Sequence, residues 1–381
     1  MAEQMILPVL AQPELGQLRL GFVALTDCAP LVAAEVMELG KPYGLAIELR
    51  RQPSWAAVRD KLLSGELDAA HSLYGLPYGV QLGLGGPQAD MAVLMTLNRN
   101  GQAISGSNRL VESLQKGMGL RAALAGLGRK PVFAQTFPTG THAMWLNYWL
   151  AAHGINPLSE VDSIVIPPPQ MADAMAQGEL DGFCAGEPWH SVARAKGVGR
   201  MLVSSGAIWP DHPEKALACR RDFAALYPNT AKALVRTLLD ACRWLESPEN
   251  RRTATGWLAG SKYLGLMPDA IAPSLVLPEQ AGSSSVRFFG DAAMNAPRPS
   301  EGLWFLSQYR RWGMLHGELD LERIAHEVSQ SDLFGQAAGE SALPAQAAVT
   351  LIDGIAWNGR DAAAYADAFK IPAESAESCP G

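Results

Sequence analysis

Cysteine is scarce and scattered in this chain: five residues in 381, at positions 28, 184, 219, 242 and 379. The number is odd and no Cys-x-x-Cys pair occurs, so neither a disulfide framework nor a thiolate metal site is expected. Long apolar runs are missing too. No stretch reaches the roughly 18 uninterrupted apolar residues of a membrane span. Basic charge is in deficit, with 31 Lys and Arg against 38 Asp and Glu and a formal net charge of −7. Such a balance gives no general attraction for nucleic acid or an anionic membrane. Any anion bound here must be held by local geometry against the overall sign. No Ser-His-Asp set or phosphate loop stands out, and the lone glycine cluster GLGGP at 83–87 reads as a helix end. Catalysis is not expected. The opening MAEQMILPVLAQPELGQ starts with an acidic residue, Glu3, and Pro8 breaks its short apolar run. It does not read as a secretory signal, so the expected compartment is the cytoplasm.

What is present is ordinary globular material, 48% hydrophobic with 37 glycines, and length enough for two or three domains of about 150 residues. Short apolar runs alternate with helical patterns. Strands are expected at 18–25, 45–51 and through LDAAHSL, with helices at 29–44 and 54–66, the second capped by Ser54. The same order returns later, with strands at 131–136, 162–167 and 180–186 and helices at 140–155 and 168–179. The tetrapeptide Gly-Glu-Leu-Asp stands at 65–68 and again at 178–181, each time where a glycine closes a helix and Leu-Asp enters a strand. This β-α-β-α-β order predicts α/β lobes built on parallel sheets. After about residue 217 the pattern turns helical. Residues 337–350 and the end from Ala362 carry little patterning, which predicts a loosely attached tail.

In parallel α/β sheets, ligands lie off the carboxyl ends of strands, beside the N-termini of the following helices. Four such turns offer donors. Trp55 opens the helix after the 45–51 strand, and its indole is a donor only. Gln102 stands at the exit of the Asn-Gly turn in LNRNGQAIS. His142 sits in the first turn of the helix begun by Thr139, Gly140 and Thr141, whose backbone N–H groups and dipole suit a small anion. Lys215 follows the Pro-bounded turn of WPDHPEKAL and faces the groove between the lobes.

Together the segments SWAAVRDKLLSGELDAAH, TFPTGTHAMWLNYWLAAHGINP, IVIPPPQM, DGFCAGEPW and DHPEKAL resemble the nitrate-binding members of the periplasmic binding-protein superfamily. That group comprises solute receptors of nitrate and bicarbonate ABC importers and a cytoplasmic nitrate/nitrite sensor. The resemblance covers residues 17–300 and implies a two-lobed type II periplasmic binding-protein fold with the anion in the cleft. The implied first lobe is discontinuous, 17–104 plus 206–335, the second is 105–205, and 336–381 is the tail. The implied contacts to nitrate or nitrite are Trp55, Gln102, His142 and Lys215, with Ala56 and Pro168 close by. Bicarbonate-binding relatives carry a carboxylate and calcium where Lys215 stands, so lysine here implies a monovalent anion without metal or cofactor. Such an anion offers acceptors only, and a buried one needs a compensating cation. Replacing Lys215 by Glu is expected to abolish binding with the fold intact. Without a leader the resemblance favours the sensor, with a NasT-like RNA-binding antitermination regulator as its protein partner, released when the anion binds. The alternatives are a receptor of an importer for nitrate, a sulfonate or a thiamin-precursor pyrimidine, and a fold-related enzyme. The enzyme's cysteine-rich run is missing.

Overall fold

The computed structural model describes residues 11–276, 286–339 and 347–369. The first ten residues of the opening segment, Cys379 and two stretches of the expected tail, 340–346 and 370–381, lie outside the described residues. Two five-stranded sheets organise the chain. The first holds β1 (Gln17–Val23), β2 (Ala46–Gln52), β3 (Ala69–Leu73) and β4 (Met91–Arg99). The second holds β5 (Gln102–Ser107), β6 (Val132–Gln135), β7 (Asp162–Val165), β8 (Gly182–Gly186) and β9 (Gly199–Ser204). The chain then returns to the first sheet as β10 (Pro213–Arg220), giving the orders β2-β1-β3-β10-β4 and β7-β6-β8-β5-β9.

The expected parallel pairing is present, β1 with β2 and β3 and β6 with β7 and β8, and each sheet also takes in one strand of opposite sense. Strand β10 runs antiparallel to β3 and β4, and β5 runs antiparallel to β8 and β9. The cause is topological. The carboxyl edges of the two sheets face each other, so a chain crossing between them enters the far sheet against its grain. The crossing β4-to-β5 turn uses Asn100 and Gly101, both at positive φ. Asn-Gly ordinarily signals a hairpin; here it joins strands of different sheets. The return crossing lies beside it, with Asn100 N–H donating to His212 O at 3.2 Å and Asn100 Nδ2 to Asp211 Oδ1 at 3.1 Å. This geometry puts the first residues of β5 and β10 at the facing edges.

The repeated tetrapeptide does the same work in both sheets. Gly65 and Gly178 close their helices at φ +76° and +77°, in the left-handed region that glycine enters without a Cβ penalty. Leu67 and Leu180 are buried behind them. Each aspartate then clasps the start of the neighbouring strand. Asp68 accepts from Arg19 N–H at 2.7 Å and pairs with the Arg19 guanidinium, while Asp181 accepts from Val132 N–H at 2.8 Å and pairs with Arg129.

The C-terminal helices, expected to join the first lobe, also pack against the second sheet. In the helix Pro299–Arg311, Trp304 lies 5.1 Å, ring to ring, from Trp145 of the helix Thr141–Ala152. The tail between 347 and 369 is not loose. Trp357, Tyr365 and Phe369 are buried in the same aromatic cluster, and Trp357 Nε1 donates to Ser300 O. Its aromatics pay for its order; the alanine-rich composition around them hides this in the sequence.

Candidate functional site

Six elements deliver polar side chains to the gap between the facing carboxyl edges. Asp27 lies just beyond β1, His71 at the middle of the short strand β3, and Glu214 and Lys215 at the start of β10. Trp55 opens the helix Trp55–Ser64, which is capped as expected by the Ser54 hydroxyl accepting from Ala57 N–H. From the second sheet come Gln102, first residue of β5, and His142, in the first turn of the Thr141–Ala152 helix, whose N-terminus has no side-chain cap. All are buried; Lys215, His71, His142 and Glu214 have no exposed surface at all.

Asp27 is the knot. Its Oδ1 accepts from His71 Nε2 at 2.8 Å, and its Oδ2 from Gln102 Nε2 at 3.0 Å and from Lys215 Nζ at 2.8 Å. A carboxylate only accepts, so Gln102 must turn its amide nitrogen to Asp27 and its oxygen to His142. His142 Nε2–H then donates to Gln102 Oε1 at 2.8 Å, and His142 Nδ1 accepts from the Thr136 hydroxyl at 2.6 Å. One carboxylate thereby sets an amide orientation and a histidine tautomer across two sheets. Lys215 Nζ also reaches Glu214 Oε1 at 2.9 Å. Glu214 further accepts from the Thr141 hydroxyl and, at 2.8 Å, from Trp145 Nε1.

Burial opposes charge everywhere here, and the pairings decide which groups keep it. Burial alone would raise the Asp27 carboxyl, but the Lys215 ammonium and His71 outweigh it and hold Asp27 below the usual carboxylate range. Burial pushes Glu214 up despite Lys215, Thr141 and Trp145. Burial would lower Lys215, yet Asp27 and Glu214 raise it, so the ammonium persists. Burial, reinforced by Lys215, holds His142 well below its ordinary value, so it is a neutral donor.

Four of the expected residues, Trp55, Gln102, His142 and Lys215, therefore meet in one cluster; the ammonium lies 5.8 Å from the Trp55 ring centroid. Ala56 follows Trp55 in the same helical turn. Pro168 is the buried first residue of the helix Pro168–Ala176 beyond β7, and no ring or ion contact joins it to the cluster among the described residues. Asp27, Glu214 and His71 were not anticipated. Asp27 had the signal that picked out the others, a polar side chain in a strand-to-helix turn (TDCAPL). Glu214 gave only its adjacency to Lys215, and His71 read as part of a buried strand. Two buried nitrogen atoms in this cluster, Trp55 Nε1 and His71 Nδ1, have no hydrogen-bond partner among the described residues. Unpaired buried polar atoms are uncommon and call for an explanation.

Two facing α/β sheets linked by paired crossings, with charged and donor groups buried between their carboxyl edges, define a two-lobed fold of the periplasmic binding-protein type. Known proteins sharpen that class. A family profile described as the NMT1-like family matches residues 11–259, and the chain belongs to that family. It is 36% identical to the nitrate/nitrite binding protein NrtA of Synechococcus elongatus, over 95% of this chain and 88% of that protein. It is 34% identical to the nitrate import ATP-binding protein NrtC of Synechocystis, of which it spans 55% of the length. The crystal structure of the periplasmic nitrate-binding protein NrtA from Synechocystis superposes with a TM-score of 0.86 at 32% identity, covering 95% of this chain and all of that one. An alkanesulfonate-binding protein from Xanthomonas axonopodis, at 18% identity and a TM-score of 0.60, shares the fold.

Proposed function

We propose that this chain is a nitrate- or nitrite-binding protein acting as the solute receptor of an ABC importer. The observation that carries the reading is the buried Lys215 ammonium between the two lobes beside the bare Trp55 Nε1–H. A flat monovalent oxyanion needs one compensating cation and several donors, and Lys215, Trp55, Gln102 and His142 are of those types. The relatives named for nitrate and nitrite binding support the receptor over the cytoplasmic sensor. The sensor, with its antitermination partner, rests on the character of the opening residues; none of the relatives named above is described as one. Cell fractionation of the natural reading frame separates the two, since a receptor must meet solute outside the cytoplasmic membrane.

The test is titration calorimetry of the metal-free protein with nitrate, nitrite, bicarbonate and a small alkanesulfonate. Saturable binding of nitrate or nitrite, undiminished by a calcium chelator, is the expected outcome. Preference for bicarbonate or the sulfonate, or a calcium requirement, would overturn the reading.

A further inference from the structure

The cluster holds two carboxyl groups and one ammonium before any anion arrives. Asp27 and Glu214 both lie within 3 Å of the single ammonium of Lys215. Adding a monovalent anion to that set buries further uncompensated charge, which is costly in a medium from which water is excluded. A proton entering with the anion offsets it, and the structure shows where one can be accepted. Burial favours a proton on Glu214, but both its oxygens already accept, from the Thr141 hydroxyl, Lys215 and the Trp145 indole, so it is the rival site that His71→Gln tells apart. Asp27 already accepts from His71, Gln102 and Lys215, and Lys215 and His71 hold it below the usual carboxylate range. His142 Nδ1 already accepts from Thr136. His71 differs. Its Nε2–H donates to Asp27, which leaves Nδ1 as a bare lone pair, fully buried and without a partner among the described residues. Its ring lies 5.5 Å, centroid to centroid, from that of Trp55, the residue with the other bare nitrogen.

We propose that His71 is a further contact of the bound anion, and that the oxyanion enters together with a proton taken up at His71 Nδ1. Protonation breaks no hydrogen bond at that atom, turns an acceptor that would repel nitrate into a donor, and gives Asp27 a second cationic partner. The charged groups facing the ring are Asp27 from the turn after β1 and Glu214 and Lys215 from β10, with the neutral Trp55 indole on the helix side. Burial keeps the free imidazole below its ordinary value; Lys215 adds to that, while Asp27 and Glu214 oppose it. An anion beside the ring adds to the second pair and draws the proton in. The sign follows: affinity strengthens as pH falls from the bound-state to the free-state pKa of His71, and is flat outside that window.

This inference rests on the anion-binding reading above, and the experiment separates their failures. The intact protein is titrated with sodium nitrate near pH 7 in buffers of different ionisation enthalpy, and Kd is followed with pH. Wild type is expected to take up a proton fraction approaching about one, with log Kd rising by up to about one per pH unit. His71→Gln retains an N–H for Asp27 but does not titrate. It is expected to bind nitrate about tenfold more weakly, the loss of one charge-assisted hydrogen bond, with uptake and pH dependence gone. If that variant fails to fold, imidazole nitrogen shifts of wild type decide, with one histidine becoming imidazolium on nitrate addition. Nitrate binding without proton uptake, or uptake undiminished in His71→Gln, would overturn the inference and leave the anion site standing. Absence of any nitrate or nitrite binding would overturn both.

Discussion

Lys215 is buried between two carboxylates, so replacing it acts twice. Lys215→Met removes the cation an anion needs, and it strands Asp27 and Glu214 without compensation. Breaking a buried pair in this way costs about 3–5 kcal/mol, so the variant is expected to lose nitrate binding and to unfold at markedly lower urea at pH 7. Lys215→Glu, expected from sequence to spare the fold, would place a third carboxylate in the cluster and destabilise it further. The pH dependence has a definite sign. Asp27 is depressed in the folded state, so its contribution is full above the unfolded value of about 3.9 and is lost as pH falls through the folded one. Glu214 is raised, so its burial costs stability at high pH and the cost is relieved as pH falls through its folded value. Removing Lys215 weakens the first contribution and enlarges the second cost. The deficit of Lys215→Met is therefore expected to be greatest at neutral pH and to shrink toward pH 4; a constant deficit would mean that Lys215 does not neutralise either group.

At the scale of elements, the two Gly-Glu-Leu-Asp joints are equivalent parts. An added Cβ at Gly65 or Gly178 meets nothing within 4 Å, so the cost of Gly65→Ala or Gly178→Ala is conformational alone. Each is expected to lose about 1 kcal/mol, and the two equally, in chemical denaturation; a cost at one joint only would break the equivalence. These joints were legible because they depend on neighbours a few residues away: a left-handed closure, a buried leucine, a capped helix. The strands β5 and β10 were not. Gln102 read as the exit of a turn, and Lys215 as part of another, since short segments entering a sheet against its grain lack a periodicity that separates them from loops. The tail was misjudged for a related reason. Its few aromatics are spaced too irregularly to signal a buried face, and they gain order from distant helices, through residues such as Trp304, Tyr148 and Ser300.

At the scale of the molecule, the two sheets are held together by more than the buried cluster around Asp27 and Lys215. Trp189 Nε1, in the helix Trp189–Ala195 after β8, donates to Ala24 O at 3.1 Å, and Thr26 N–H donates to Glu187 O at 2.8 Å. These bonds join the carboxyl edges directly, so under the proposed function they hold the form that encloses the anion. Trp189→Phe removes one of them while retaining the ring, and is expected to raise the nitrate Kd about fivefold, the worth of roughly one neutral hydrogen bond. An unchanged Kd in calorimetry would show that this bond forms equally in the open and closed forms. The aromatic cluster around Trp304 ties the C-terminal helices to the second sheet.

The α/β class of fold, the repeated unit and the Ser54 cap are written in local order, because periodicity, capping and turn chemistry act over a few residues. The charge arrangement at the site is not local. Asp27 meets Gln102 across 75 positions, and Glu214 meets Thr141 across 73. Whether a lysine is lone or doubly neutralised, and which histidine keeps a bare nitrogen, depends on which chain ends the folded sheets bring face to face. Electrostatics between buried groups is set by separation in space, and that separation exists only once both sheets have closed around them.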